Sequence, residues 1–199
     1  MKKIIDEKKH IYKENCSDLP GFYLDRHLYQ PLMTQEGSKV KSAPPALNKS
    51  ERCFVDKLRA FCQLKLADLG KELFLLRNLS RGKGIGFLED NGFYPDFILW
   101  ITKGDKQRIV FIEPHGMNME EHPANNPKVN LHKKLQTQVA DARKKSKNKN
   151  LTLDSFIISC TPYDDLHKKH GPEWNRQKYA DAHIFFDSDD YIPQLLGPA

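Results

Sequence analysis

Apolar residues recur along this chain at two spacings, and the spacing predicts which segments are helices and which are strands. After residue 48 the apolar positions lie three or four residues apart, the period of a helix that buries one face. Asn48 or Ser50 can cap that helix. A second helix is predicted over Val129–Lys145. The apolar positions of the first helix are Phe54, Val55, Leu58, Phe61, Cys62 and Leu66.

Continuous apolar runs predict the strands. Such runs are typical of strands whose sheet is covered by helices on both faces. The predicted order is helix, three strands, helix, strand and one further strand. This order indicates an α/β fold with a mixed central β-sheet flanked by helices. The predicted strands are 72–79, 93–101, 107–113, 153–159 and 183–187, and a short closing helix is predicted at 191–196.

A change in composition near residue 48 predicts the domain boundary. Residues 37–48 are rich in Gly, Ser, Pro and Lys, which is typical of a loop or linker. We therefore expect residues 1–48 to be an N-terminal extension and linker, and residues 49–199 to form one domain. No stretch approaches the roughly 18 apolar residues of a membrane span, and the N-terminus lacks the apolar run of a signal peptide. These features predict a cytoplasmic protein with no membrane partner.

The net charge of the chain gives only moderate support to a nucleic-acid partner. The net charge is +6, from 32 Lys plus Arg against 26 acidic residues. A basic surplus suits a nucleic-acid partner, because neutralising phosphates releases counterions; an ordinary basic protein is about equally consistent with it. The four cysteines show no zinc-ligand spacing.

Two acidic residues stand where the second and third predicted strands would be neighbours. The midpoint between Asp96 and Glu113 falls between Gly104 and Asp105, which suit a tight turn. In a hairpin without a bulge, the two acids would oppose each other on one face, with Cβ atoms about 5 Å apart. Such a carboxylate pair suits Mg²⁺ or Mn²⁺. The backbone carbonyl of Pro114 could add a third oxygen, and His115 would share the face of Glu113. Acids at strand ends are also commonly structural.

The residues around this pair resemble a known family. Residues 75–117, which include YPDFILW and VFIEPHGM, resemble the C-terminal endonuclease region of type III restriction enzyme subunits and related restriction-type helicases. That region belongs to the PD-(D/E)xK nuclease superfamily. Softer similarity extends to the segments DRHLYQPLM, SERCFVDKL, NLHKKL and LDSFIISCTPY. The resemblance implies a restriction-endonuclease-like core and metal-dependent cleavage of DNA. It leaves two alternatives for the ATPase motor that this sequence lacks: the chain is a piece of a longer restriction subunit, or it acts with a separate helicase or methyltransferase subunit.

The resemblance also implies roles for individual residues. Asp96 and Glu113 would be the motif acids that bind Mg²⁺ or Mn²⁺, and Glu51 matches an upstream acidic position that can supplement the site. A structural reading of Glu51 is a favourable charge in the first turn of a helix. His115 stands where the family has lysine. Histidine could orient or deprotonate the attacking water or bind a metal, but near neutral pH it is mostly uncharged. One alternative is therefore a catalytically inactive module for DNA binding or assembly. A separate alternative is a nuclease that acts on RNA.

Other basic residues are weaker candidates. The glycine-rich connection at 80–92 lacks the ending of a phosphate-binding P-loop, so it predicts no ATPase motor. Arg81 and Lys83 in this connection, and Lys133 on the second helix, could contact DNA phosphates. Three histidines have no ligand spacing and are expected at the surface: His132, His167 and His170.

Overall fold

The computed structural model describes residues 21–22, 32–33, 46–79, 93–145 and 150–197. The helices are α1 (Lys49–Lys65), α2 (Pro127–Lys145), α3 (Tyr163–His170), α4 (Arg176–Asp181) and α5 (Ile192–Leu196). The strands are β1 (Gly21–Phe22), β2 (Leu32–Met33), β3 (Glu72–Arg77), β4 (Phe97–Lys103), β5 (Lys106–His115), β6 (Leu151–Ser159) and β7 (Ile184–Phe186).

A mixed sheet of five strands organises the described chain, in the order β3-β4-β5-β6-β7. Strand β4 runs antiparallel to both of its neighbours, β3 and β5. Strands β5, β6 and β7 are parallel, which requires crossover connections; α2 lies in the first of them. Strands β1 and β2 form a separate antiparallel pair. The predicted α/β class, with a mixed sheet flanked by helices, is confirmed.

Helix α1 begins at a capping box. The Asn48 side chain accepts a hydrogen bond from the Glu51 backbone N–H, and the Glu51 carboxylate accepts one from the Asn48 N–H. This reciprocal pair satisfies backbone donors that the first turn leaves without helical partners. The predicted cap at Asn48 is confirmed. The apolar face that follows is fully buried through Phe54, Val55 and Leu58.

Helices cover both faces of the sheet. On one face, α1 and α5 pack on a core built from alternate residues of the antiparallel strands, such as Leu75, Leu99 and Val110. On the other face, Leu131 and Leu135 of α2 pack against Ile98 of β4 and Phe111 of β5. Helices α3 and α4 pack with β6 and β7 around a third cluster that includes Trp174 and Tyr179. None of the described helices is long and apolar enough to cross a membrane.

The largest differences between the observed and the predicted elements are two. Strand β4 begins at Phe97, four residues later than predicted, and Phe93 makes only an isolated bridge; Pro95 has no N–H to donate to a strand ladder. Helices α3 and α4, between β6 and β7, were not predicted. They have 8 and 6 residues, too few turns for a clear apolar period. Most of the predicted extension lies outside the described residues.

Candidate functional site

Asp96 and Glu113 lie beside each other at the end of the β4–β5 hairpin remote from its turn. The register runs without a bulge from Lys103↔Lys106 at the turn to Phe97↔Ile112, so Asp96 and Glu113 are the next opposed residues. The Asp96 N–H donates a hydrogen bond of 3.1 Å to Oε2 of Glu113. The hairpin register predicted from the sequence is confirmed.

The turn explains why this register holds. Residues 104–105 form a two-residue connection, and Gly104 has a φ of 59°, in the left-handed region. Glycine adopts that conformation without the steric cost that a Cβ atom brings. Because the turn fixes the pairing of the strands, it also determines that the two acids meet.

Burial places the two acids in electrostatic conflict. Burial, followed by the nearby charges of Glu113 and Glu51, raises the pKa of Asp96 to about 8. Burial also raises the pKa of Glu113, although the Lys128 ammonium and the Asp96 N–H limit the rise. The pair therefore retains a proton near neutral pH. Such a pair favours a ligand that brings positive charge.

His115 ends strand β5, two residues after Glu113. Its Nε2 atom lies 3.2 Å from Oε1 of Glu120. Within the described chain, neither ring nitrogen makes a well-aligned hydrogen bond, and both are shielded from solvent. Burial and the Lys128 charge lower the pKa of His115, although Glu120 acts against this. The imidazole is therefore neutral at pH 7.

Two further charged residues meet at this site, and neither was predicted from the sequence. The Nζ atom of Lys128 lies 3.6 Å from Oε1 of Glu113 and 3.2 Å from Oε1 of Glu120. Asn126 organises both residues. Its amide nitrogen donates to Oε2 of Glu120, and its side-chain oxygen accepts from the Lys128 backbone N–H. Asn126 thereby caps α2, with Pro127 at the first helical position.

A signal for Lys128 was present in the sequence. The first turn of α2 contains no acidic residue, whereas the helix dipole favours acids there and disfavours lysine. A lysine in a first turn therefore suggests carboxylate partners elsewhere in the fold. The identity of those partners depended on the loop at 116–126, whose conformation the sequence pattern does not predict.

Glu51 has a well-defined structural role. Its Oε2 atom lies 2.9 Å from the Arg77 guanidinium nitrogen Nη2, and both side chains are almost entirely buried. The same oxygen accepts the Asn48 N–H in the capping box. Arg77 shares the β3 face of Leu73 and Leu75, on which α1 packs. The ion pair thus belongs to the layer between α1 and the sheet. A role for Glu51 in metal binding stays a prediction.

The Pro114 carbonyl is already in contact with another element. It accepts a hydrogen bond of 2.9 Å from the Ser50 hydroxyl in the first turn of α1. A carbonyl oxygen has two lone pairs, so this bond leaves one acceptor position. The ladder between β4 and β5 ends at Ile112, whereas pairing with β6 continues to His115. Pro114 therefore lies where β5 is paired with β6 but no longer with β4, and it has no N–H to donate to either strand.

The remaining candidates do not converge on this site in the described chain. Lys133 is exposed on α2, and its ammonium donates to Asn130. Arg81 and Lys83 lie outside the described residues. The expectation of surface histidines was wrong for two of the three: His132 and His170 are 4% and 5% exposed. His132 stacks on His183 with ring centroids 3.9 Å apart, and His170 contacts the Tyr179 hydroxyl.

The arrangement offers oxygen ligands but not a complete coordination shell. In the part of the chain that the structure describes, no three His, Cys, Asp or Glu side chains are grouped closely enough to hold a metal ion. Mg²⁺ commonly uses only one or two protein carboxylates and takes water or substrate oxygens for the rest. The pair formed by Asp96 and Glu113 has the donor chemistry for such a site.

Comparisons of this chain with known proteins identify no relative. No family model matches the chain, and neither the curated proteins nor the solved structures contain a significant match.

Proposed function

We propose that this chain is a nuclease domain that hydrolyses phosphodiester bonds in DNA with Mg²⁺ or Mn²⁺. The observation that carries the proposal is the pair of largely buried acids, Asp96 and Glu113, on adjacent strands. Burial of two neighbouring carboxyl groups destabilises a fold unless a proton or a cation neutralises them. Folded proteins rarely bury two carboxyl groups side by side, and such exceptions are expected at functional sites. The net charge of +6 suits a DNA partner.

The donor atoms fit a hard divalent cation. Asp96 and Glu113 would hold it, and the Pro114 carbonyl oxygen is the candidate for a third protein ligand. Carboxylate and carbonyl oxygens suit Mg²⁺ and Mn²⁺ rather than the softer metals. When bound, such a cation supplies Lewis acidity at the phosphate and lowers the pKa of a water molecule.

The protein side chains would supply orientation and proton handling. Glu113 is held by the Asp96 N–H, so its carboxylate is oriented before any ligand arrives. His115 is buried and neutral, and a neutral imidazole has one nitrogen that can accept a proton. Both ring nitrogens are shielded from solvent in this structure, so in this proposal DNA binding uncovers one of them and His115 then accepts the proton of the attacking water. Glu120 lies against the ring and would stabilise the imidazolium that results.

The resemblance of residues 75–117 to type III restriction enzyme subunits supports the same assignment. The order of helix, three strands, helix and strand agrees with the core that this resemblance implies. We therefore propose a restriction-endonuclease-like domain that works with a helicase or methyltransferase subunit. The described chain contains no motif for a motor of its own.

A plasmid assay tests the proposal. Purified protein is incubated with supercoiled DNA in Mn²⁺, in Mg²⁺ and in EDTA, and in parallel with an RNA substrate of similar length. We expect nicking or cutting of DNA that requires the cation and is lost in Asp96→Asn. Asp105→Asn is a matched control, because Asp105 is exposed at the turn, roughly 25 Å along the hairpin. Full activity of Asp96→Asn would refute the proposal, and cleavage of RNA alone would reassign the substrate.

One observation favours a second candidate, a catalytically silent module that binds DNA or assembles with other subunits. His115 replaces the lysine of the resembled motif, so the motif itself carries no permanent positive charge. Both candidates predict salt-sensitive DNA binding, so binding alone does not separate them. Cation-dependent cleavage does, since a silent module gives none at any concentration of Mn²⁺.

A further inference from the structure

We propose that Lys128, at the start of α2, contacts the scissile phosphate and supplies the positive charge that the motif position of His115 lacks. The inference rests on the proposed nuclease function and names a catalytic residue for it. In the resembled motif a lysine on a strand has this role, whereas Lys128 lies on a helix.

The first support is position. The Lys128 ammonium lies 3.6 Å from the Glu113 carboxylate, beside the two acids proposed to hold the cation. Its side chain is 30% exposed, so Lys128 lies at the edge of the site rather than in the core. The ammonium also lies 5.7 Å from the centre of the Phe93 ring. A phosphate that approached the two acids would also come close to Lys128.

The second support is that Lys128 occupies an unfavourable position for helix stability. The N-terminal turn of a helix carries partial positive charge, so a lysine there costs a fraction of a kcal/mol. The contacts with Glu113 and Glu120 offset this cost, since each such pair contributes about 0–1 kcal/mol. The N-terminus of α2 and the Lys128 ammonium therefore both bring positive charge next to Glu113. A cation bound by Glu113 would compete with Lys128 for that carboxylate, and it would leave the ammonium and the helix N-terminus available to an anion.

The third support is that, among the described residues, the other cation that acts on Asp96 is Arg77, and Arg77 is buried in an ion pair with Glu51. The Arg77 charge acts on Asp96, but its guanidinium is bound to Glu51 and is 5% exposed. Arg77 shares its strand face with the core under α1, whereas Glu113 shares the β5 face of Phe111, under α2. A phosphate could not reach Arg77 without displacing that core.

The role is electrostatic and involves no proton transfer by the lysine. In hydrolysis, a water oxygen bonds to phosphorus and one phosphorus–oxygen ester bond breaks. The water gives its proton to His115, which later releases it to solvent, and the departing oxygen takes a proton from solvent. Lys128 stays protonated throughout and donates hydrogen bonds to a non-bridging phosphate oxygen. One such preorganised donor contributes roughly 100-fold to 1000-fold in rate.

The test uses the full chain and separates charge from folding. Lys128→Met and Lys128→Gln remove the charge but keep a side chain of similar length, whereas Lys128→Arg keeps the charge. Lys106→Met is the matched control, since Lys106 is exposed near the turn, roughly 23 Å along β5 from Glu113. Single-turnover cleavage, Mn²⁺ affinity by calorimetry and thermal melting are measured on each variant.

We expect Lys128→Met and Lys128→Gln to lose cleavage by about 100-fold or more, while Lys128→Arg retains more activity than either. Mn²⁺ affinity should stay the same or rise in the neutral variants, because a cation that repels the metal has been removed. A merely structural lysine would not give slower cleavage together with equal or tighter metal binding.

Three results would overturn the assignment. If both neutral variants cleave within threefold of the unmodified chain, Lys128 is not catalytic, although the nuclease function stands. If they lose Mn²⁺ binding and thermal stability together with cleavage, Lys128 acts on the fold. If the unmodified chain cleaves no DNA in Mn²⁺, the proposed function fails and the role of Lys128 fails with it.

Discussion

The buried ion pair between Glu51 and Arg77 supports a prediction about stability that can be made quantitative. We consider Arg77→Met, which keeps an apolar side chain of useful length in the core and removes the charge. The Glu51 and Arg77 side chains are 11% and 5% exposed, so the carboxylate left behind has little access to water. Breaking a buried pair from one side typically costs about 3–5 kcal/mol.

The structure places the expected cost near the lower end of that range. In Arg77→Met, Glu51 keeps the hydrogen bond from the Asn48 N–H and the favourable field of the α1 N-terminus, which is worth about 0.3–1 kcal/mol. We therefore expect a loss of about 3 kcal/mol in the free energy of unfolding at pH 7. For a domain of this size, that loss lowers the melting temperature by on the order of 10 °C.

The assay is urea denaturation followed by circular dichroism, with two comparison variants. Arg52→Met removes a half-exposed arginine from an i,i+4 pair with Asp56 and should cost about 0.5 kcal/mol or less. The double variant Glu51→Gln/Arg77→Met removes both charges and should recover most of the lost stability. A loss below about 1 kcal/mol in Arg77→Met alone, or a double variant no better than the single one, would refute this reasoning.

Three further predictions concern other parts of the molecule. Because the pKa of Asp96 is raised to about 8, Mn²⁺ binding at pH 7 should release a proton, measured by calorimetry in buffers of different ionisation enthalpy; equal heats in all buffers would contradict this. Asp154 contacts His183 and Arg108. Burial alone would raise its pKa, but the hydrogen bond and charge of His183 and the Arg108 charge hold that pKa below its usual value. The resulting stability is present above the unfolded pKa and is lost as pH falls through the folded one. Asp154→Asn should therefore cost about 2 kcal/mol at pH 7 and progressively less as the pH falls below the unfolded pKa in the same denaturation assay, and a pH-independent cost would count against it. Gly104→Ala should lower the free energy of unfolding by about 1 kcal/mol, because alanine is strained at a φ of 59°. The loss should be no larger, since no atom lies within 4 Å of the added Cβ. An unchanged melting curve would contradict this prediction.

The sequence predicted the antiparallel part of the fold more closely than the remainder, for physical reasons. A two-residue turn fixes strand register locally, so the opposition of Asp96 and Glu113 could be worked out from their distances to Gly104. The first turn of α1 was equally local, since Asn48 and Glu51 are three residues apart and form a capping box. Such features depend on neighbouring residues rather than on the rest of the chain.

The parts that were missed depend on long-range contacts. Lys128 meets Glu113 only because α2 packs on the face of the sheet where that acid lies. His132 was placed at the surface although it lies three and seven residues before the buried Leu135 and Val139, a helical spacing that could have indicated burial. The polarity of histidine obscured that pattern, since the ring is buried by stacking on His183.

The hydrogen bond from Ser50 to the Pro114 carbonyl has a mechanical consequence. It joins residues 64 positions apart and fastens the beginning of α1 to the strand that ends in Glu113 and His115. The polypeptide that precedes α1 therefore joins the domain next to the proposed reaction centre. A pull applied at residue 46 would reach the strand that carries Glu113 directly through this hydrogen bond. A pull on the Gly104 loop would first have to be transmitted along both strands of the hairpin.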